Sequence, residues 1–206
     1  QTSFAGQGYA RTPGIHTPGQ IAAWKDVTDA VHARGAKMFM QFMHCGRIAH
    51  PLNRQIADLP VAPSAVKPAG QMWTDQQQMQ DYPAPRALDT SELPALIDEF
   101  VTAARNARAA GFDGVELHAA NGYLLNQFLA SNTNLRTDGY GTTVNGRIRF
   151  VVEVVEAVAA AIGAARTGIR VSPGHMFNDL VDANPIETHR ALLDALHQAF
   201  AIAVSL

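Results

Sequence analysis

FDGVELHAANGYLLNQF, residues 112–128, is the stretch of sequence that decides the fold. Its apolar start predicts a strand over 114–117. Three polar side chains follow this strand closely, namely His118, Asn121 and Tyr123. A connection with only a structural role would need a helix cap and a turn residue, not an imidazole, an amide and a phenol together. Because ligands bind at the carboxyl ends of strands in α/β sheets and βα barrels, the stretch predicts one wall of a ligand site.

Helical and strand patterns alternate on both sides of this stretch, which indicates parallel strands joined by crossover helices. Since a complete barrel needs roughly 250 residues, we expect an α/β fold that forms a partial (β/α)8 TIM barrel, with about four of the eight parallel strands; a small open sheet is the alternative. The predicted helices run from Pro18 to Gly35, from Thr90 or Ser91 to Gly111, over 147–162 and over 187–199, and the predicted strands cover 37–43, 114–117, 168–171 and about 201–205.

Composition and charge narrow the class of protein. The chain has 206 residues, of which 47% are hydrophobic and 17% charged, and its formal net charge is −2. It has no long basic run, so neither nucleic acid nor an anionic membrane is a favoured partner, and no apolar stretch approaches the ~20 residues of a membrane helix. The single cysteine, Cys45, argues against a disulfide framework or a four-cysteine cluster. A cytoplasmic location is the simplest expectation.

Both ends suggest a piece of a larger protein. The chain begins at Gln1 with neither an initiator methionine nor a signal peptide, and it ends in AFAIAVSL, which is typical of a strand. We therefore expect one incomplete barrel domain over 1–206. A stretch rich in Pro, Gly and Gln at about 46–89 is expected to be a lid-like insertion, because long loops in compact domains are usually functional or disordered.

Two further strands carry a polar residue that could face a ligand. Gln41 lies among Met and Phe side chains, and its amide offers both a donor and an acceptor; the alternative is a core amide satisfied by the backbone. Arg170 interrupts the apolar strand GIRV, and an arginine is almost never buried without a partner. We expect it to face a ligand that carries or develops negative charge; the alternative is an ion pair with a carboxylate such as Glu116. In a barrel these residues and the three that follow the strand at 114–117 would converge on one face.

Five motifs together resemble one known family, the old yellow enzymes. These are FMN-dependent NAD(P)H oxidoreductases, the ene-reductases that include N-ethylmaleimide and nitrate-ester reductases. The resemblance covers almost the whole chain, and HAANGYLLNQFL is its most specific part. The motifs are GYARTPGIHTPGQIAAWKDVTDAVHARG (8–35), QFMHCGR (41–47), AGFDGVELHAANGYLLNQFL (110–129), RTDGYG (136–141) and GIRVSP (168–173).

The resemblance implies a βα barrel that binds FMN at its carboxyl face and is reduced by NAD(P)H. Gln41 matches the glutamine on the flavin pyrimidine edge, and Arg170 matches the arginine beside flavin N1 and O2. His118 and Asn121 match the pair that binds the carbonyl or nitro oxygen of the substrate, and Tyr123 matches the proton donor. The expected substrates are activated alkenes, such as enones and maleimides, or nitro and nitrate-ester compounds. The family's FMN phosphate site would lie beyond residue 206.

The chain departs from the family pattern in three places. Phe42 and Met43 replace a Leu-Trp pair, and Gly19 replaces an acidic residue. Where the family has YGGS, an aliphatic residue and Glu-Asn-Arg at a helix start, residues 140–147 read YGTTVNGR.

Other site types fit less well. No G-x-G-x-x-G lies between a strand and a helix, as a Rossmann fold needs. His44, Cys45 and His50 match no standard zinc spacing and lack a fourth ligand, so no metal site is predicted. Two functions stay open: an FMN-dependent ene-reductase, and a non-catalytic truncated remnant that cannot hold FMN.

Overall fold

The computed structural model describes residues 1–199 and 203–205. In chain order the helices and strands are α1 (Pro18–His32), β1 (Phe39–Phe42), β2 (Val61–Ala62), β3 (Gln71–Thr74), β4 (Gln78–Asp81), β5 (Arg86–Ala87), α2 (Leu93–Ala109), β6 (Gly114–Ala119), α3 (Leu124–Leu129), α4 (Val144–Ile162), β7 (Thr167–Val171), α5 (Pro185–Ala199) and β8 (Ala203–Ser205).

The central element is a parallel sheet with the strand order β1–β6–β7–β8. A helix-containing crossover joins each strand to the next: α2 precedes β6, α4 precedes β7 and α5 precedes β8. This is the predicted succession of one helix, three strand–loop–helix units and a last strand. The partial barrel expected from the sequence is therefore confirmed.

Helix α1 begins as its sequence predicts. The Thr17 side chain accepts from the backbone N–H of Gln20, and the Gln20 side chain accepts from the Thr17 N–H, which completes a capping box. The helix ends at His32, earlier than expected, and Gly35 follows in a left-handed conformation with φ = 75°.

The central sheet packs its helices on one face. Apolar residues of this face, among them Leu117, Ile169 and Val171, form the main core with α2 and α4. On the opposite face, which we call the open face, Phe39 is 55% exposed, and Gln41 and Arg170 are exposed as well. The expectation of a buried strand at 37–43 is therefore only half right. Arg170 is exposed on this face, where a ligand can reach it.

Two connections contain more regular structure than the sequence indicates. The stretch from the end of β6 to residue 143 contains the six-residue helix α3, which is too short to give a clear helical period. Segment 46–89 contains a parallel pair, β2–β5, and an antiparallel hairpin, β3–β4.

Helix α4 begins at Val144, where the Thr143 hydroxyl caps it by accepting from Gly146 N–H.

No helix in the described ranges combines the length and apolar character that crossing a bilayer requires.

Candidate active site

Strand register gathers the polar residues on the open face. Gln41 of β1 pairs with Glu116 of β6, and His118 of β6 pairs with Arg170 of β7. Paired residues of adjacent strands point to the same side of a sheet, and so do residues two apart in one strand. These four side chains therefore share the open face, across three neighbouring strands.

Gln41 and Glu116 are directly linked. The Gln41 amide Nε2 donates to the Glu116 carboxylate Oε2 at 2.5 Å. Gln41 is thus an exposed residue whose partner is a side chain, and the alternative of a core amide satisfied by the backbone is wrong. The link leaves the amide oxygen of Gln41 as an acceptor on the exposed surface.

His118 lies deeper than its neighbours on the open face. It is 5% exposed, and its Nδ1 has no hydrogen-bond partner among the described residues. Burial and, to a smaller extent, the positive charge of Arg170 lower the pKa of His118 to about 4, whereas Glu116 opposes the shift. The imidazole is therefore neutral at neutral pH and presents one donor and one acceptor nitrogen.

Tyr123 covers His118. The two ring centroids are 5.2 Å apart, and the Tyr123 hydroxyl lies 2.9 Å from the hydroxyl of Tyr9. Burial is the main cause that raises the pKa of Tyr123, although hydrogen bonds with Tyr9 and Asn178 act in the opposite direction. The phenol consequently keeps its proton at neutral pH, as a proton donor must.

Asn121 occupies a constrained turn at the end of β6. Its φ is 56°, its N–H donates to the Ser172 hydroxyl at 2.9 Å, and its carbonyl accepts from Asn178 Nδ2 at 2.8 Å. At Gly122, whose φ is 80°, a Cβ atom would come within 2.6 Å of the Phe177 carbonyl oxygen. The β7–α5 connection therefore rests directly on the turn between Asn121 and Tyr123.

A small apolar cluster packs against Tyr123. Besides Tyr123 it contains Cys45 and four residues of segment 46–89: Ile48, Ala49, Met72 and Tyr82. Burial raises the pKa of the Cys45 thiol to about 12, so this cysteine is a packed neutral side chain. Part of segment 46–89 thus lies beside Tyr123.

The structure adds three residues that the sequence did not single out. Tyr9 and Asn178 contact Tyr123, and Ser172 holds the Asn121 backbone. Tyr9 and Ser172 lie inside the motifs GYARTPG and GIRVSP, so the family resemblance was the available signal. Asn178 lies in none of the quoted motifs.

His44, which was weighed as a zinc ligand, has a structural role. His44 is 2% exposed, its ring stacks on Phe100, and its Nδ1 accepts from the Gly46 N–H. Burial lowers the pKa of His44 to about 3. Among the residues that the structure describes, no three His, Cys, Asp or Glu side chains are grouped as metal ligands.

Comparison with known proteins identifies a family. The profile described as "NADH:flavin oxidoreductase / NADH oxidase family" matches residues 1–205. The chain is 44% identical over 197 residues to 12-oxophytodienoate reductase 1 of Oryza sativa subsp. japonica, covering 93% of this chain and 49% of that protein. It is 49% identical over 181 residues to a chanoclavine-I aldehyde reductase of Penicillium roqueforti (strain FM164), covering 86% of this chain and 46% of that protein.

Two solved structures are also similar to this chain. The old yellow enzyme homologue from Zymomonas mobilis superposes with a TM-score of 0.94 at 39% identity, covering 98% of this chain and 56% of that one. A morphinone reductase mutant in complex with tetrahydroNAD superposes with a TM-score of 0.92 at 41% identity, covering 97% and 57%. The chain spans about half the length of the curated relatives it matches.

Proposed function

Because the chain belongs to the NADH:flavin oxidoreductase / NADH oxidase family, we propose that the protein is an FMN-dependent NAD(P)H oxidoreductase. Its proposed substrates are small molecules with an activated C=C bond, such as enones and maleimides, or with a nitro or nitrate-ester group. One observation carries the proposal: Gln41, His118 and Arg170 share the open face of three adjacent strands, and Tyr123 lies over His118.

The chemistry of the open face fits a flavin ring. Gln41 and Arg170 are exposed there on the two strands that flank β6, and Gly168, on the same face of β7 as Arg170, adds no side chain. An amide with a free acceptor oxygen and a guanidinium with several donors suit the pyrimidine edge of a flavin, which has both carbonyl and N–H groups. Gln41 and Arg170 are thus the proposed flavin contacts of this chain.

The chemistry that FMN supplies when bound is hydride transfer, from NAD(P)H and then to the substrate. Arg170 would provide positive charge at the flavin edge where electrons accumulate. His118 and Asn121 would hold the carbonyl or nitro oxygen of the substrate and stabilise negative charge that develops on it. The unpartnered Nδ1 of His118 supports this role, because a buried polar atom without a partner is costly unless a ligand satisfies it.

Tyr123 is the proposed proton donor to the α-carbon of an alkene. Its raised pKa keeps the phenol protonated, and its contact with the His118 ring puts it beside the proposed oxygen-binding group. The neighbouring hydroxyl of Tyr9 can donate to the Tyr123 oxygen, which leaves the Tyr123 proton available to a substrate.

The test is quenching of FMN fluorescence by the purified chain, combined with NADPH oxidation in the presence of 2-cyclohexenone. Saturable quenching that Arg170→Leu weakens, while the exposed control Arg190→Leu does not, would support the proposal. The absence of both quenching and NADPH oxidation would favour the alternative, a non-catalytic form that does not hold FMN. Quenching is measured up to high FMN concentrations, so that weak binding is detected as well.

A further inference from the structure

Arg47 is a buried cation away from the open face. Its side chain is fully buried, and its guanidinium donates to three backbone carbonyls: Val66 O at 3.2 Å, Asn178 O at 3.1 Å and Asp179 O at 2.6 Å. The first carbonyl belongs to segment 46–89, and the other two belong to the β7–α5 connection. One side chain thus joins two connections that are far apart in sequence.

Stability alone does not explain a charge in this place. The Asp179 carboxylate is 4.0 Å from the guanidinium and 45% exposed, so it compensates the buried charge only in part. Burial lowers the pKa of Arg47, which reflects the cost of removing the cation from water. An apolar side chain of similar volume often serves stability as well as a buried charge does. The directed hydrogen bonds are what such a side chain could not replace.

Two of the carbonyls that accept from Arg47 belong to residues with a strained backbone conformation. Asn178 and Asp179 are consecutive non-glycine residues with positive φ, 57° and 56°. Such conformations persist only where surrounding contacts impose them. The two hydrogen bonds from Arg47 are part of that constraint, and Asn132 Nδ2 adds another to Asp179 O at 3.0 Å.

This constrained backbone touches the proposed site. The Asn178 side chain donates to the Asn121 carbonyl at 2.8 Å and lies near enough to Tyr123 to lower the pKa of its phenol. Its Cβ atom lies so close to Gly122 that any side chain there would collide with it. A displacement of Asn178 would therefore also shift Asn121 and Tyr123.

We propose that Arg47 is a positioning residue for Tyr123 and Asn121, acting through the backbone of Asn178 and Asp179. The inference rests on the proposed function for its consequence in turnover, but the placement itself can be measured without FMN or substrate. Arg47 does not touch the open face and takes no part in the chemistry. It fixes the connection against which the proton donor is held.

The placement can be read by ¹⁹F NMR of the chain labelled with 3-fluorotyrosine. The chain has four tyrosines, whose signals are assigned with single Tyr→Phe variants. In Arg47→Lys, which keeps the charge but loses the planar fork of donors, we expect the Tyr123 signal to move by more than its linewidth. The signal of Tyr140, whose hydroxyl bonds Glu153 outside this region, should stay in place.

Arg54→Lys is the matched control. Arg54 is also buried, at 9% exposure, and also donates to backbone carbonyls, those of Asp58 and Ala5, but it has no bond to the β7–α5 connection. It should leave the Tyr123 signal unchanged. Hydrogen exchange adds a second measurement: amides of 174–182 should exchange roughly five- to tenfold faster in Arg47→Lys only, as expected for the loss of one hydrogen bond.

An unmoved Tyr123 signal in folded Arg47→Lys would overturn the proposal, and so would an equal movement in Arg54→Lys. If Arg47→Lys does not fold, Asn178→Ala decides instead, because it removes the second link and leaves Arg47 intact. A Tyr123 signal that Asn178→Ala does not move would overturn the proposal. Since no step of the test requires turnover, a failure of the proposed function would be seen separately, in the FMN and NADPH measurements.

Discussion

The hydroxyl oxygens of Tyr9 and Tyr123 lie 2.9 Å apart, although 114 positions separate the two residues in sequence. Burial is the largest cause that raises the pKa of each phenol, so both keep their protons at neutral pH. A pair of neutral phenols has two protons and needs only one for the hydrogen bond between them. The second proton is available to a third group, which is the arrangement a proton donor needs.

Tyr123→Phe tests this donor role. In the flavin-loaded protein we expect alkene reduction to slow by about 10²–10⁴-fold, the usual contribution of general acid catalysis. Flavin reduction by NADPH should be spared, because it needs no proton from Tyr123. Stopped-flow absorbance of the flavin separates the two half-reactions. Tyr140→Phe is the control, and an equal loss of both half-reactions in Tyr123→Phe would count against the role.

The free energy of unfolding should fall as the pH drops from about 6.5 towards 4. The pKa of His118 is lowered to about 4 and that of His44 to about 3, so between these values and about 6.5 the unfolded chain binds more protons than the folded chain. Stability therefore rises with pH across this window. His118 alone contributes on the order of 3 kcal/mol.

Urea denaturation at a series of pH values measures this dependence. In His118→Gln the free energy of unfolding should depend less steeply on pH between 4 and 6.5. The difference in bound protons between the unfolded and the folded chain should be smaller by up to about one. Identical slopes in the wild type and the variant would contradict a lowered His118 pKa.

Arg147→Ala should destabilise the chain by about 3–5 kcal/mol, the usual cost of breaking a buried ion pair. Arg147 donates to the Leu129 carbonyl at 2.8 Å and to the Thr188 hydroxyl at 3.0 Å, and it lies 3.4 Å from the buried Asp182 carboxylate. The variant would leave Asp182 without its cation. In urea denaturation the control Arg190→Ala, whose side chain is 83% exposed, should change stability by no more than about 0.5 kcal/mol.

Thr142→Gly should stabilise the chain by about 0.5–1 kcal/mol. Thr142 has φ = 61°, which is strained for a β-branched residue, and the old yellow enzyme pattern has glycine at this position. The backbone strain that glycine removes is larger than the two costs of the substitution. These costs are the greater conformational entropy of the unfolded chain and the loss of one exposed hydrogen bond to the Arg136 carbonyl. Thr143→Ala, which removes the N-cap of α4, should destabilise by about 1 kcal/mol. Thermal unfolding compares the two, and a lower melting temperature for Thr142→Gly would refute the expectation.

Local patterns in the sequence predicted the order of the elements well. The capping residues Thr17 and Gln20 place the start of α1 correctly, and the polar residues after 114–117 do follow a strand end. Such features depend on neighbours in the chain, which a sequence displays directly. Helix α3 was missed because six residues carry too little periodicity.

Features that depend on distant parts of the chain were not predicted. The burial of Arg170 depends on what covers the open face, and an apolar strand pattern gives no information about that cover. The contact of Tyr9 with Tyr123 and the bonds of Arg47 to Asn178 and Asp179 join segments more than 100 positions apart. No local period or motif spacing records these contacts.

Strand register makes the site tolerant of some changes and not of others. Because side chains alternate, inserting or deleting one residue in β6 would turn Glu116 and His118 towards the helices and bring Leu117 out among polar groups. Point substitutions on the open face can tune the site by degrees, whereas a length change within this strand abolishes it in one step. Evolution can therefore vary the chemistry of this surface freely only while the number of residues in β6 stays fixed.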